Sequence, residues 1–368
     1  MHIKLGRSVG VVAMALGLGV PACGGSSDDA APAGGGSGGV ATGGGGGASG
    51  AATGGAAGAG SGGAAGTGTG GAAGTGTGGV AGSGTGGGTG LTANGCLKDE
   101  YDGVVYVNYD QFNVPVGSHC EGTNQQDIQG VERLVFLGDS ITAGTPPTPA
   151  GQFYRTQLTN MVKQKWPNVQ VDDCSAWGAQ VEDFLGGGKQ IAKCFPSTEQ
   201  KKTLVIITMG GNDLASMAKA KKTASEASGQ IAQVLADMKA AVEWLKSPTN
   251  FPNGSYVIFA NIYEYTDLFA DLSSCPTGLV AGFSGEWLAG TSVLVQLREG
   301  YMSIAKDTGA DMMFLGETFC GHGFKAGDAS GQCYRGPNTP TWFDISCIHP
   351  TPDGHSQIAK MFMDIVNE

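Results

Sequence analysis

Basic residues are scarce in this chain of 368 residues. It contains 21 lysines and arginines against 32 aspartates and glutamates, and its formal net charge is −11. Because the basic residues form no run, the sequence lacks the positive surface that a nucleic-acid-binding protein uses to contact phosphates. We therefore expect no nucleic-acid partner.

Metal-binding motifs are also missing. No HExxH sequence occurs, and the nine cysteines do not have the paired CxxC spacing of zinc sites. We therefore expect no metal site.

Long apolar runs are missing too. The apolar run "SVGVVAMALGLGV" near the N-terminus is too short to span a bilayer comfortably, since a spanning helix needs about 20 apolar residues.

The first 22 residues have the layout of an export signal. Lys4 and Arg7 precede the apolar run, and small residues follow it up to Cys23. The sequence "VPAC" at this point resembles the lipobox of bacterial lipoproteins, whose cysteine becomes the lipidated first residue of the mature chain. Ordinary cleavage after Ala22 is the alternative. Lipidation predicts an exported protein that is anchored at the cell envelope and meets the membrane only through Cys23.

A low-complexity segment follows over residues 23 to 95. It is almost wholly Gly, Ala, Ser and Thr, and "GGAAGTGT" at 62 to 69 is repeated at 70 to 77. Such a composition cannot bury a core, so we interpret it as a flexible tether. The nucleophile motif GxSxG occurs inside it, at Gly35, Ser37 and Gly39, where it carries no functional meaning.

Residues 131 to 368 have the composition and length of one α/β domain, preceded by an extension over 96 to 130. Apolar runs predict buried parallel strands over 133 to 138, 168 to 173, 203 to 209, 255 to 262 and 311 to 316. Helical spacing of apolar residues predicts helices around 231 to 245, 293 to 305 and 358 to 365. This alternation predicts a doubly wound, flavodoxin-like five-stranded sheet with helices on both faces, whose ligands bind at the carboxyl ends of the strands.

Eight cysteines remain when Cys23 is set aside, and an even number in an exported chain suggests disulfides. Proximity in sequence predicts the pairs Cys174–Cys194 and Cys320–Cys333. The pair Cys275–Cys347 would follow if Cys96 joins Cys120. The run "GVVYVNY" at 103 to 109 could add a strand to the extension.

Candidate catalytic residues come directly after predicted strands. Ser140, in "LVFLGDSIT", lies where the first strand gives way to a helix, among amides that favour developing negative charge. Asn212, in "MGGNDL", could direct a side-chain amide at an oxyanion, although such a residue is more often a helix cap. Gly178, in "CSAWGAQ", could supply a backbone donor. His349, in "CIHPTPDGH", lies on a loop because Pro350 follows it, whereas we expect Asp353 at a helix start and His355 packed in the next turn.

In this order the four residues resemble the sequence blocks of the SGNH, or GDSL-type, hydrolases. The resemblance covers about 131 to 368 and depends most on "GDSIT", "GGND" and "HP" followed by "GH". It implies an esterase-like fold with Ser140 as nucleophile and His349 as base. It also implies an oxyanion hole formed by the Ser140 amide, the Gly178 amide and the Asn212 side chain.

The acid is where the chain departs from this pattern. The family has an aspartate three residues before the histidine, and here that position is Ser346; the nearest upstream carboxylate is Asp344. A histidine base needs an acceptor at its second nitrogen to fix its tautomer. Asp344 could supply it if the loop bulges by two residues, and the main-chain carbonyl of Ser346 is the alternative. We favour Asp344, on a loop pinned by a disulfide of Cys347.

The sequence therefore predicts a lipid-anchored, monomeric serine esterase that acts through an acyl-enzyme and uses no metal or organic cofactor. Because no hydrophobic lid is evident, short-acyl or acetyl esters of glycans are the expected substrates. A lipase or phospholipase acting on lipid esters is the runner-up. Two alternatives stay open, namely a catalytically dead glycan-binding lipoprotein and an acyltransferase that uses the same intermediate.

Overall fold

The computed structural model describes residues 125 to 186 and 188 to 368. The predicted export signal, Cys23, the predicted tether, the strand proposed at 103 to 109 and the predicted pair Cys96–Cys120 lie outside these residues. Most of the domain predicted from the alternation of strands and helices lies within them.

Five parallel strands form one sheet. They are β1 (Arg133–Gly138), β2 (Gln170–Asp173), β3 (Thr203–Thr208), β4 (Ser255–Ala260) and β5 (Asp311–Met313). Their spatial order is β2-β1-β3-β4-β5, and each neighbouring pair is parallel. This is the doubly wound, flavodoxin-like arrangement, so the predicted fold is confirmed.

Helices cover both faces of the sheet. In the described residues they are α1 (Ser140–Ala143), α2 (Tyr154–Lys165), α3 (Gln190–Cys194), α4 (Gly211–Lys219), α5 (Ala224–Lys246), α6 (Gly290–Thr308), α7 (Leu315–Phe319) and α8 (Pro352–Asn367). The three predicted helices correspond to α5, α6 and α8. A reciprocal Thr223–Glu226 capping box begins α5, and Gly309 ends α6 with a φ of 61°.

The core lies on both sides of the central strands. All six residues of β1 and of β3 are buried, as expected of parallel strands covered by helices on both faces. Phe136 packs edge-on against Tyr154 of α2, and Phe259 packs edge-on against Tyr301 of α6. The strand register places Phe136 and Phe259 one residue out of step, so the two aromatic pairs lie on opposite faces.

One strand differs from its prediction. We predicted a buried strand at 168 to 173, but Gln170 and Asp173 at the two ends of β2 are exposed. The reason is position, because β2 is the edge of the sheet and pairs with β1 alone. The carboxylate of Asp172 in β2 accepts a hydrogen bond of 2.8 Å from the buried Arg133 of β1.

Three disulfides are present in the described residues. They are Cys174–Cys194, Cys275–Cys347 and Cys320–Cys333, with Cα–Cα distances of 5.9, 5.7 and 5.1 Å. All three predicted pairings within this region are confirmed. The Cys275–Cys347 bond joins the segment after β4 to the loop that carries His349.

Candidate active site

Ser140 lies at the carboxyl end of β1, in the first turn of α1. The preceding residue, Asp139, is buried and caps this turn, because its side chain accepts hydrogen bonds of 3.0 Å from the Ile141 amide and from the Thr208 hydroxyl. Burial raises the pKa of Asp139 to about 7, although these hydrogen bonds act in the opposite direction. Asp139 thus fixes the turn between β1 and α1, which holds Ser140 at the carboxyl end of the sheet.

His349 meets Ser140 across 209 residues of sequence. Its Nε2 atom is 2.9 Å from the Ser140 Oγ atom. Burial lowers the pKa of the His349 imidazole, and the nearby Asp344 carboxylate acts in the opposite direction. The result is an imidazole that is neutral near pH 7 and within reach of the serine proton.

The other imidazole nitrogen meets a serine hydroxyl. The Nδ1 atom of His349 is 2.7 Å from the Oγ atom of Ser346, and that hydroxyl donates to the Oδ1 atom of Asp344. Asp344 therefore does not hold His349 through the direct bond that we predicted, and the contact from Ser346 comes from its side chain rather than its carbonyl. Sequence reasoning weighed Ser346 only as a main-chain acceptor and missed its hydroxyl.

A short hairpin explains this arrangement. Phe343 and Pro350 form an antiparallel bridge, and the Asp344 amide donates to the His349 carbonyl at 2.9 Å. Asp344 and His349 therefore face each other across the hairpin, and Ser346, which lies in the turn between them, fills the space between their side chains. Cys347 in this turn has a φ of 74°, a conformation that costs a non-glycine residue about 1–3 kcal/mol and is held here by its disulfide and the surrounding bonds.

Asn212 lies with Ser140 in the lining of one pocket, and a hydrogen bond ties its side chain to the segment of Gly178. The Asn212 side-chain amide donates one of its two hydrogens to the Ala179 carbonyl at 2.8 Å, which leaves the second hydrogen for another acceptor. Gly178 precedes Ala179 and has a φ of 75°, in the region that favours glycine. The backbone amides of Ser140 and Gly178 have no hydrogen-bond acceptor among the described residues.

The neighbouring His355 and Asp353 are structural, as predicted. Asp353 lies in the first turn of α8. His355 is 1% exposed, its Nδ1 atom accepts the Tyr154 amide hydrogen at 3.2 Å, and burial lowers its pKa to about 4. Such a histidine stays neutral and supports the packing of α2 against α8.

An apolar cavity opens next to Ser140, and sequence reasoning did not predict it. Ser140, Ile141 and Asn212 form part of its lining. Its walls come from α4, from the segments 263–272 and 283–287, from the start of α6, and from the hairpin of His349. The apolar side chains that line it include Leu214, Ala215, Ala218, Leu268, Ala270, Leu272, Phe283, Trp287, Leu294, Phe343 and Ile348.

Within the described ranges, no three His, Cys, Asp or Glu side chains are grouped so that they could hold a metal ion. None of the helices in this part of the chain is long and apolar enough to cross a bilayer.

Residues 136 to 357 match the sequence profile of the GDSL-like lipase/acylhydrolase family. The chain belongs to this family. The match covers more than half of the chain and includes Ser140, Gly178, Asn212 and His349. The GDSL protein is accordingly a carboxylic ester hydrolase of the esterase/lipase type.

Comparison of the GDSL protein with curated proteins gives no match. Among solved structures, it is similar to the acetylxylan esterase Axe2 from Geobacillus stearothermophilus, with 17% identity over 66% of this chain and 97% of the other and a TM-score of 0.43. It is also similar to phospholipase A1 from Streptomyces albidoflavus, with 18% identity over 65% and 99% of the chains and a TM-score of 0.42. At such low sequence identities neither likeness indicates the substrate of this chain.

Proposed function

We propose that the GDSL protein hydrolyses its ester through a covalent acyl-enzyme on Ser140, with His349 as the general base and then the general acid. The observation that carries the proposal is the distance of 2.9 Å between the Ser140 Oγ and His349 Nε2 atoms. The Ser140 oxygen attacks the ester carbonyl while its proton passes to Nε2. His349 then protonates the leaving alcohol, and a water molecule activated by the same nitrogen releases the carboxylic acid.

Three N–H donors are available for the oxyanion of the tetrahedral intermediate. These are the backbone amides of Ser140 and Gly178 and the second amide hydrogen of Asn212. The Asn212–Ala179 hydrogen bond supports this role, because it fixes the Asn212 side chain and ties it to the segment of Gly178. Donors that are held in place before the reaction stabilise the developing charge without reorganising.

The cavity favours an apolar acyl group longer than acetyl. An acetyl group has only a methyl to bury, whereas each additional methylene removed from water contributes about 0.8 kcal/mol. Of the two substrate classes that the sequence left open, the apolar walls beside Ser140 support the lipase-type ester. On this proposal the acyl chain lies between α4 and the segment that contains Phe283 and Trp287.

A chain-length series tests the acyl proposal. We expect kcat/KM for p-nitrophenyl hexanoate to exceed that for the acetate at least about tenfold, since four methylenes would be buried. Ala215→Phe fills the cavity and should abolish this preference while acetate hydrolysis persists. Ala220→Phe, at an exposed position at the end of α4, is the matched control and should keep the preference. A flat or falling series in the wild type would reject the acyl cavity.

A glycan ester with a short acyl group is the second candidate, and Trp177 favours it. This indole is 68% exposed and is fixed by a hydrogen bond of 3.0 Å from its Nε1 atom to the Gly144 carbonyl. It lies beyond β2, whereas the apolar cavity lies beyond β3 and β4, so the two features flank Ser140. A fixed, exposed ring can stack on a sugar. On this candidate, Trp177→Ala should lower kcat/KM for acetylated oligosaccharides and spare p-nitrophenyl acetate; an equal effect on both would reject it.

We also propose that the protein is exported and anchored by a lipid on Cys23. Support comes from the "VPAC" sequence and from the three disulfides, because disulfides persist in oxidising compartments. The full-length protein should then sediment with membranes, and Cys23→Ser should release it or block its maturation. A soluble wild-type product that begins at Cys23 without a lipid would contradict the anchor.

A further inference from the structure

The two hydrogen bonds from Ser346 to the Asp344 carboxylate form, by themselves, a common kind of turn. The same arrangement occurs at Asp328 and Ser330, where the serine amide and hydroxyl both donate to the aspartate Oδ1 atom, at 3.0 and 2.7 Å. At 344 to 346 a third group is added, because the Ser346 hydroxyl also meets the imidazole of His349 at 2.7 Å. The turn is thereby connected to the group that faces Ser140.

The hydrogen bonds of the Ser346 hydroxyl define its direction. A hydroxyl has one hydrogen to donate and can accept two. Its hydrogen goes to Asp344 Oδ1, and it lies 2.7 Å from the Nδ1 atom and 3.3 Å from the backbone amide of His349. Because its only hydrogen is committed to a carboxylate, the hydroxyl presents a lone pair to Nδ1. Nδ1 must therefore carry the hydrogen, which leaves Nε2 as the proton acceptor that faces Ser140.

Asp344 is placed to act through this hydroxyl. Its side chain is 8% exposed, and Oδ1 accepts both the Ser346 amide hydrogen, at 2.7 Å, and the hydroxyl hydrogen. The other oxygen, Oδ2, is buried and has no hydrogen-bond partner among the described residues. Ser346 is thus the side chain through which the carboxylate reaches His349.

We propose that Ser346 is a positioning residue that links Asp344 to His349 through its hydroxyl. The proposal rests on the function assigned above to Ser140 and His349. When His349 takes the serine proton, the imidazolium Nδ1–H remains bonded to the Ser346 oxygen, and the Ser346 hydrogen remains on Asp344. No proton leaves the Ser346 hydroxyl. The hydroxyl orients the imidazole ring, and through it the Asp344 carboxylate stabilises the imidazolium. In the family pattern the aspartate contacts the histidine directly.

Substitution of Ser346 tests the link. Ser346→Ala leaves Nδ1 without its acceptor and allows either tautomer, so we expect kcat to fall on the order of 10²-fold, with little change in KM; a wrong tautomer costs a serine protease about 10⁴-fold. Ser346→Thr keeps the hydroxyl and should retain activity within about tenfold of wild type. Ser330→Ala removes the serine of the matching turn and should leave kcat unchanged. Thermal melts check that each variant is folded.

Two further readouts separate positioning from a merely structural role. In a double-mutant cycle, Asp344→Asn combined with Ser346→Ala should cost no more than the worse single variant, because both break one chain of bonds. The acid limb of kcat/KM should move to lower pH in Asp344→Asn, since the Asp344 carboxylate raises the pKa of His349. In Ser346→Ala the carboxylate remains, so that limb should move less.

The outcomes distinguish this proposal from the function on which it rests. A folded Ser346→Ala variant within about threefold of the wild-type kcat, or additive losses in the double variant, would overturn the link while leaving Ser140 and His349 in their roles. Undiminished turnover in Ser140→Ala would instead overturn the proposed function. A large loss in Ser346→Ala that Ser346→Thr restores would support the link.

Discussion

The two halves of the candidate active site are held by different means. The Ser140 segment continues from β1, which pairs with strands on both sides, and Asp139 anchors its turn within the core. The His349 hairpin has a single antiparallel bridge. It depends instead on the Cys275–Cys347 disulfide, on its own turn bonds, and on a hydrogen bond of 2.7 Å from the Tyr263 hydroxyl to the Ile348 carbonyl.

This difference explains which half is sensitive to local change. A residue at the end of a central strand is positioned by many backbone hydrogen bonds, so the loss of one side chain moves it little. A residue on a hairpin is positioned by a few side-chain contacts, and a displacement of about 1 Å can cost 10²-fold in rate. The nucleophile side should therefore tolerate peripheral substitutions that the histidine side does not.

The largest effect should come from the nucleophile itself. Ser140→Ala removes the attacking oxygen and should lower kcat by at least about 10⁴-fold, as for nucleophiles of other serine hydrolases, without lowering the melting temperature. Ser37→Ala, in the GxSxG match of the low-complexity segment, is the control and should leave hydrolysis unchanged. Hydrolysis of p-nitrophenyl esters measures both, and a Ser140→Ala variant that still turns over would remove the mechanism.

Paired disulfide deletions compare the two halves directly. Loss of Cys174–Cys194 or Cys275–Cys347 should destabilise the fold by about 3 and about 4 kcal/mol, from closed loops of 20 and 72 residues. Only the second anchors the hairpin, so only Cys275→Ser/Cys347→Ser should also lower kcat, about tenfold, at a temperature where both variants are folded. Equal kcat in the two variants would show that the hairpin does not need its disulfide.

A smaller effect is expected from Tyr263→Phe. The substitution keeps the packed ring and removes the hydroxyl that donates to Ile348, one residue before His349. We expect a loss in kcat of roughly threefold and a loss in stability of about 1 kcal/mol, since one neutral hydrogen bond is removed. Tyr256→Phe, whose hydroxyl bonds at the surface to Gln129, is the matched control. A Tyr263→Phe variant indistinguishable from this control would mean that other contacts fix the hairpin.

The fold and half of the site could be predicted because they depend on periodic features of the sequence. Apolar runs identified the strands, and the rule that ligands bind at the carboxyl ends of parallel strands brought Ser140 and Asn212 together. The exposure of β2 could not be foreseen in this way, because which strand forms the edge depends on the order of the strands.

The other features depend on contacts between distant or irregular segments. The acceptor of His349 was missed because a hairpin turn, with Cys347 at positive φ, brings a hydroxyl to a place where the spacing suggested a carboxylate or a carbonyl. The cavity was missed because its walls come from α4, α6, the segment after β4 and the His349 hairpin. None of these segments has a pattern that marks it as a wall before the chain folds.

Labelling with a fluorophosphonate tests the central claim, the Ser140–His349 pair, most directly. The reagent phosphonylates only a serine that a neighbouring base has activated. Peptide mass mapping of the wild-type protein should find one phosphonate group, on Ser140, and the His349→Ala variant should react far more slowly. An unlabelled, folded wild-type protein, or a label on another serine, would contradict the account and favour a binding protein that has kept the fold without the reaction.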